Sequence, residues 1–164
     1  MEQSNEITIR TDIRPGDIGL ITYLHGVLYQ DEFKHGVSFE SIVAAGLHEF
    51  YATYNPGNER LWIAEHNDNM IGCLLLKNRG ESAQLRYFLI KPAYRGMGLG
   101  NKLLQLFMDF AKACKYKNAY LWTTNELDKA HHLYLKLGFT LTEEKPSTEF
   151  GKPLVEQRYD LVFT

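Results

Sequence analysis

Three glycines at alternate positions, Gly96, Gly98 and Gly100, constrain this chain more than any other feature of its sequence. They follow a strand-like run that ends at Pro92 and precede a helix-like run that begins at Asn101. Without Cβ atoms, such a backbone can turn sharply, point successive N–H groups inward and let an anion come close. The free amides and dipole of the following helix add positive potential at the same place. The loop therefore predicts an anion site, although a glycine-rich turn without a ligand fits the same residues.

The spacing of these glycines excludes two common nucleotide-binding loops. The dinucleotide fingerprint GxGxxG fails because its last position falls on Asn101 or on Leu103. A phosphate-binding P-loop needs GxxxxGK followed by Ser or Thr, and the chain contains no such string. The pattern that the segment does match is Arg-x-x-Gly-x-Gly, which runs from Arg95 to Gly100.

The periodicity of the apolar residues predicts an α+β fold. Four helices are expected over residues 17–28, 38–51, 101–114 and 127–137, where apolar positions recur every three or four residues. Shorter alternating runs predict about seven strands, at residues 7–10, 61–65, 70–76, 84–90, 120–123, 140–144 and 156–162. This order predicts a mixed, mainly antiparallel central sheet with the helices on its faces. Ser38 and Asn125 are expected to cap helices, and Gly138 to end one.

Size and charge exclude several classes of protein. The chain has 164 residues, so we expect one domain that spans residues 1–164. Its composition is 45% hydrophobic and 23% charged, as is usual for a globular protein. The formal net charge is −2 and no basic stripe occurs, so direct binding of nucleic acid is not expected.

The same sequence predicts a cytoplasmic protein. Its polar N-terminus, residues 1–6, lacks the apolar stretch of a signal peptide, and no run approaches the ~18 apolar residues of a membrane span. The two cysteines, Cys73 and Cys114, lie in apolar surroundings, and we expect both to be buried and reduced.

Two blocks of the sequence resemble the GNAT superfamily of N-acetyltransferases. The first, residues 84–104, is similar to that superfamily's strand, pyrophosphate loop and helix. The second consists of Asn125 and residues 130–139, which look like its helix ending in Gly138-Phe139. The chain also resembles the acetyltransferase half of bacterial proteins that fuse a MarR-type DNA-binding domain to a GNAT domain.

The resemblance implies a cosubstrate, acetyl-coenzyme A, and a site for it. Backbone amides from Arg95 to Gly100 would bind the pyrophosphate, the strand through Phe88, Leu89 and Ile90 would diverge from residues 120–123, and pantetheine would lie in the gap. An amide near Leu89 or Ile90 would stabilise the developing oxyanion. Asn125 would contact the pantetheine arm. The residues expected to bind the cosubstrate are Phe88, Leu89, Ile90, Arg95, Gly96, Met97, Gly98, Leu99, Gly100, Asn125 and Tyr134.

The implied reaction is acetyl transfer to a primary amine of a small molecule or protein, by direct attack within a ternary complex. Tyr134 is the expected hydrogen-bond donor to the leaving sulfur, although its helical spacing with Ala130 and Leu137 fits a core tyrosine equally well. Glu65, at the end of a strand, could direct a water as general base. A noncatalytic acetyl-coenzyme A sensor is the alternative function, and a longer acyl group is a weaker one.

We expect the first two helices and residues 145–153 to shape the acceptor site, and the resemblance implies that the connector between the two helices contributes to it. The residues proposed there are Tyr29, Glu32, Phe33 and His35, together with Arg86, a charge inside an apolar strand. His25 lies four positions before Tyr29 and could face the same groove. Arg86 either pairs with Glu65 or Glu40 or reaches an acidic group of the acceptor. We expect no metal, since His131 and His132 diverge on their helix. The resemblance implies a possible homodimer, because many members of the superfamily pair through exposed strands.

Overall fold

The predicted α+β fold is confirmed by the computed structural model, which describes residues 6–164. The polar N-terminus on which the location was predicted therefore lies outside the described residues, except for Glu6. The strands are β1 (Thr8–Arg10), β2 (Arg60–His66), β3 (Asn69–Arg79), β4 (Ser82–Ile90), β5 (Asn118–Thr124), β6 (Thr140–Ser147) and β7 (Leu154–Val162). The helices are α1 (Asp17–Phe33), α2 (Gly36–Ala52), α3 (Leu99–Ala113) and α4 (Asp128–Leu137), with a 3₁₀ turn at Pro92–Tyr94.

All seven strands form one sheet in the order β1-β2-β3-β4-β5-β7-β6. Every neighbouring pair is antiparallel except β4 and β5, which run parallel. These two strands pair over only three positions, Ser82–Gln84 against Asn118–Tyr120. Beyond Gln84 they have no register partners in one another, so a V-shaped gap opens between them, as the resemblance implied.

Helices cover both faces of the sheet, and each face has its own core. Leu74 and Leu76 of β3 face the side of α3 and α4, whereas Cys73 and Leu75 face the side of α1 and α2. The alternation of side chains along a strand produces this division. Because the middle of β3 is buried on both sides, residues 70–76 have no polar side chain.

A bulge bends β4 where it leaves β5. The β3–β4 register shifts between Cys73 and Leu75, so that one extra residue of β4 is accommodated opposite them. Tyr87 takes a positive φ of 54° there, which is unusual for a residue with a side chain. The Cys73 thiol donates to the Tyr87 carbonyl at 3.2 Å and supports this conformation.

Both predicted helix caps were wrong. Helix α2 begins earlier than expected, with His35 at its N-cap, so Ser38 lies inside the first turn. Helix α4 has Leu127 at its N-cap, and Asn125 instead bonds to β7: its Oδ1 accepts from the Val155 amide at 3.1 Å. The predicted terminator Gly138 does end α4, with φ of 102°.

The cysteines were predicted half correctly. Cys73 is buried, but Cys114 is only partly buried and its thiol lies 3.6 Å from the Gly57 carbonyl. Both thiols are free. Among residues 6–164, no helix has the length and apolar character that crossing a membrane would require.

Candidate functional site

Two grooves open beside the gap between β4 and β5 and meet inside the protein. The loop groove, of about 570 Å³, runs along residues 95–100, which we call the glycine loop, and along the start of α4. The aromatic groove, of about 310 Å³, lies under α1 and α2 against β5 and β7. Four residues line both grooves, and we call them the junction: Tyr29, Phe88, Leu127 and Tyr134.

The glycine loop presents unpaired amides to the loop groove. Gly96 and Gly98 adopt φ of 81° and 83°, which side chains disfavour, and α3 starts immediately afterwards. The first helical hydrogen bond runs from the Lys102 amide to the Gly98 carbonyl, so the amides of the first turn have no carbonyl partner. Within the described chain, the amides of residues 96–98 donate to no protein group either. This arrangement fits an anion such as a diphosphate.

The residues of the glycine loop contribute unequally to this groove. Gly100 lines the groove, and a side chain there would be crowded, because a Cβ would lie 3.3 Å from Ile90 Cδ1 and 3.4 Å from Phe88 Cζ. Met97 is 61% exposed, and Leu99 is buried in the core, so neither side chain lines the groove. Of the predicted cosubstrate-binding residues 95–100, Met97 and Leu99 could therefore contribute only backbone groups.

Arg95 anchors the loop to the end of α1. Its guanidinium donates to both carboxylate oxygens of Glu32, at 2.7 and 3.1 Å, and to the Ile90 carbonyl at 3.0 Å. Glu32 and Phe33, which were predicted to bind the acceptor, therefore lie in the loop groove and line no part of the aromatic groove. The sequence could not reveal this, since Arg95 and Glu32 are 63 positions apart.

Tyr134 lies at the junction and lines both grooves. It is 5% exposed and packs against the rings of Phe88, Phe139 and Tyr159. Its hydroxyl has no hydrogen-bond partner among residues 6–164. Burial and the neighbouring Tyr29 hold the pKa of Tyr134 far above its ordinary value of 10, and burial raises the pKa of Tyr29 to about 12. Both phenols thus keep their protons at neutral pH and can donate.

His25 and Tyr29 share one face of α1, as predicted, with ring centroids 5.6 Å apart. His25 Nδ1 donates to the Ile21 carbonyl at 2.8 Å, which leaves Nε2 as a buried acceptor without a partner. Burial lowers the pKa of His25 to about 4, so the imidazole is neutral at pH 7. The aromatic groove therefore contains a fixed, uncharged hydrogen-bond acceptor.

His35 also lines the aromatic groove, as predicted, but it is only 1% exposed. Its Nε2 lies 3.1 Å from Glu126 Oε1, and Lys152 Nζ donates to the other oxygen of Glu126 at 2.5 Å. Burial raises the pKa of Glu126, but the hydrogen bonds from Lys152 and His35 lower it by more. The chain of contacts ties α2 to the start of α4 and the β6–β7 loop.

Arg86 lies on the wall of the aromatic groove, with its guanidinium carbon 4.8 Å from the centre of the Tyr87 ring. Within the described chain it pairs with neither Glu65 nor Glu40, so both of those predicted ion pairs were wrong. Its remaining predicted role, contact with the acceptor, is compatible with this position.

Glu65 and Asn125 line neither groove. Glu65 Oε1 accepts from Arg10 Nε at 2.6 Å, and the same Arg10 binds Asp17 at the start of α1 at 2.8 Å. Its carboxylate is thus committed to joining β1, β2 and α1. The position does not favour the predicted role of Glu65 as the base, nor that of Asn125 at the pantetheine arm.

The floor of the aromatic groove was missed by sequence reasoning except for Lys145, which lies in the segment predicted to shape the acceptor pocket. It includes Trp122 and Thr124 of β5, Glu156 of β7 and Lys145 of β6. Thr124 pairs in register with Glu156, and Glu156 with Lys145, so the three form a row across the sheet. Alternation within each strand was visible in the sequence, but it does not say which strands become neighbours.

No cluster of three or more metal-binding side chains occurs in residues 6–164. The absence of a metal remains a prediction.

Comparison with known proteins identifies the family of this chain. The model of the acetyltransferase (GNAT) family matches residues 28–139, about two thirds of the chain, including the glycine loop and Tyr134. The uncharacterized N-acetyltransferase YjgM of Escherichia coli is 28% identical over 120 residues, which are 69% of this chain and 72% of that protein.

Solved structures share the fold. A GNAT family acetyltransferase from Elizabethkingia anophelis with acetyl-CoA bound has a TM-score of 0.66 at 21% identity and covers 98% of this chain and 100% of that one. Spermidine N-acetyltransferase from Vibrio cholerae, in complex with CoA and spermine, has a TM-score of 0.71 at 22% identity and covers 95% of each chain. The chain therefore belongs to the acetyltransferase (GNAT) family and is an acetyl-CoA-dependent acyltransferase.

Proposed function

We propose that the protein transfers the acetyl group of acetyl-coenzyme A to a primary amine by direct attack within a ternary complex. The observation that carries the proposal is the junction: two grooves of different character meet at Tyr29, Phe88, Leu127 and Tyr134. One groove suits the thioester and the other the amine, so both reactants can be held together.

The loop groove fits coenzyme A. The unpaired amides of residues 96–98 and the N-terminus of α3 would hold the diphosphate. The open edge of β4 beyond Gln84 would hold the pantetheine arm along Phe88 to Ile90, in the manner of an added strand. An amide of Leu89 or Ile90 would face the acetyl oxygen and stabilise negative charge there.

The aromatic groove would deliver the amine to the junction. An amine of pKa ~10.4 is mostly protonated at neutral pH, and freeing it costs about 4–5 kcal/mol. Neutral His25 offers a hydrogen-bond acceptor to such an amine without adding a positive charge. Tyr134 would donate to the sulfur as the carbon–sulfur bond breaks. Glu65 has no part in this proposal because Arg10 holds it elsewhere.

The experiment is Tyr134→Phe assayed by release of coenzyme A with a panel of primary amines. We expect kcat to fall about 100-fold, because the leaving thiolate loses its hydrogen-bond donor. Affinity for coenzyme A, measured by calorimetry, should stay within a factor of a few.

Tyr159→Phe is the matched control. Tyr159 is also buried, and its ring centroid lies 6.2 Å from that of Tyr134, but it lines neither groove, so its variant should keep wild-type kcat. An unchanged kcat in Tyr134→Phe would contradict the assigned role. Tight binding of acetyl-coenzyme A with no turnover on any amine would favour the sensor instead.

Assembly and location stay predictions. We propose that the chain forms one domain and works in the cytoplasm without nucleic acid. A homodimer is proposed through β6, which lies at the edge of the sheet. Light scattering after size exclusion tests that assembly.

A further inference from the structure

The aromatic groove contains a buried carboxylate with an unused oxygen. Glu156 is 8% exposed, and its Oε2 has no hydrogen-bond partner within residues 6–164. The cation nearest to it is Lys145, whose Nζ lies 3.9 Å from that oxygen, beyond hydrogen-bond distance. A buried carboxylate is costly unless hydrogen bonds or a close counter-charge compensate it. Glu156 is therefore short of a cationic partner.

A second unpartnered oxygen lies beside it. Thr124 is the register partner of Glu156 on the adjacent strand β5, and its Oγ1 is buried with no hydrogen-bond partner. Directly opposed residues on neighbouring strands are close, with Cβ atoms about 4.5–5.5 Å apart. Both residues line the aromatic groove. Together they present two acceptors to whatever occupies it.

The position of the Lys145 ammonium shows where this groove can hold a positive charge. Lys145 Nζ lies 4.8 Å from the centre of the Trp122 ring, in addition to its loose contact with Glu156. An aromatic face attracts a cation at this distance. The Lys145 side chain is 51% exposed and belongs to the edge strand β6, so a ligand can displace it.

This cation position is separate from the point of acetyl transfer. Trp122, Glu156 and Lys145 line only the aromatic groove, whereas the junction residues line both. A nitrogen held at Glu156 is therefore a different nitrogen from the one at the junction. Aromatic side chains line the same groove, with His35, Phe39 and Phe150 among them.

We propose that Glu156, Thr124 and Trp122 bind a second cationic group of the acceptor, and that the acceptor class is the diamines. One amino group is acetylated at the junction while the other, as an ammonium, replaces Lys145 at Glu156. An apolar linker between them packs along the aromatic walls. The inference rests on the proposed function and names the substrate class of the same site.

The test compares kcat/KM for α,ω-diamines of increasing length with that for monoamines of equal length. Wild type should prefer the best diamine by about 10- to 100-fold, which is the worth of a hydrogen bond to a charged group. In Glu156→Gln the preference should fall to about threefold or less, through a higher KM for the diamine. Glu149→Gln, which removes an exposed carboxylate lining the same groove, should keep the preference.

Lys145→Met should change KM for the diamine in the opposite direction from Glu156→Gln. Removing the competing ammonium should lower KM for the diamine, by up to about fivefold, as expected for a weak ion pair. A purely structural role for Glu156 does not predict this improvement.

Three results would overturn the inference: equal preference in wild type and Glu156→Gln, no gain in Lys145→Met, or amino acids outperforming diamines through contact with Arg86. Should no amine be acetylated at all, the proposed function fails. Calorimetry of the diamine against wild type and Glu156→Gln, with coenzyme A present, then still decides whether Glu156 binds it.

Discussion

His25 and Tyr134 show how burial sets the protonation of single residues in this site. Each lies inside the protein with one polar atom that has no partner within residues 6–164. Burial disfavours the charged form in both cases, so the imidazole loses its proton readily and the phenol retains its own. The site consequently holds an acceptor and a donor that are both neutral at pH 7. The Ile21 carbonyl also fixes which nitrogen of His25 carries the hydrogen.

This burial makes stability depend on pH. The pKa of His25 is about 4 in the folded chain and near its ordinary 6.5 when unfolded. Its contribution is fully present above pH 6.5 and is lost as pH falls toward 4, to a total of about 3 kcal/mol. In His25→Asn, whose amide can donate to the Ile21 carbonyl but does not titrate, this part of the acid destabilisation should disappear.

Urea unfolding at several pH values between 7 and 4.5 measures the effect as a difference between variant and wild type, which cancels the shared carboxylates. His48→Asn, at an exposed position on α2, is the control and should follow wild type. Parallel curves for His25→Asn and wild type would show that His25 is not protonated on unfolding.

At the scale of elements, the turn into α3 combines a conformation and a charge effect. Gly98 stands at the N-cap with φ of 83°, and the amides that follow it are unpaired. The tight turn brings the N-terminus of the helix to the loop groove, where its dipole favours an anion. Arg95, at the other end of the glycine loop, forms an ion pair with Glu32, so the loop is held in place at both ends.

Gly98→Ala separates the two effects when it is compared with Gly80→Ala. Gly80 has φ of 76°, and a Cβ at either glycine would contact nothing within 4 Å, so both variants carry backbone strain of about 1–2 kcal/mol. Both should lose similar stability in urea unfolding. Only Gly98→Ala should also weaken the binding of coenzyme A, by about tenfold, because the strained loop changes its conformation.

Calorimetry with coenzyme A measures the second effect. Equal affinity in the two variants would mean that the glycine loop does not contact the diphosphate, because Gly80 lies in the β3–β4 turn and lines neither groove.

At the scale of the whole molecule, the middle of the sheet is only partly paired where the site lies. Strands β4 and β5 are joined at three positions, whereas β5 pairs with β7 at seven. The gap that results makes room for a ligand, but it leaves strand edges unpaired on both sides. A ligand that bridges the gap should therefore stabilise the fold.

We expect coenzyme A to raise Tm. At a concentration about 100 times Kd the stabilisation is about 2.7 kcal/mol, which corresponds to about 5–10 °C for a chain of this length. Pantetheine, which lacks the diphosphate, should give a smaller shift at the same concentration. Differential scanning calorimetry measures both, and equal shifts would show that the diphosphate adds nothing to binding.

Local patterns in the sequence determined much of this protein. The glycines at 96, 98 and 100, the periodicity of α3 and the terminator Gly138 act over a few neighbouring residues, so the glycine-rich turn, the fold class and the family resemblance could all be predicted from the sequence. The gap between β4 and β5 followed from that resemblance, not from spacing.

Only the tertiary structure decided the partners of the charged residues. In the structure Glu65 pairs with Arg10 and lies outside the site, and Glu32 pairs with Arg95. Glu156 lies opposite Thr124 on the neighbouring strand. These contacts join residues 32 to 63 positions apart. Strand register decides such pairs, and a shift of one residue would turn every side chain to the other face of the sheet. No local pattern encodes that choice, because the free energy that sets it comes from packing across the whole sheet.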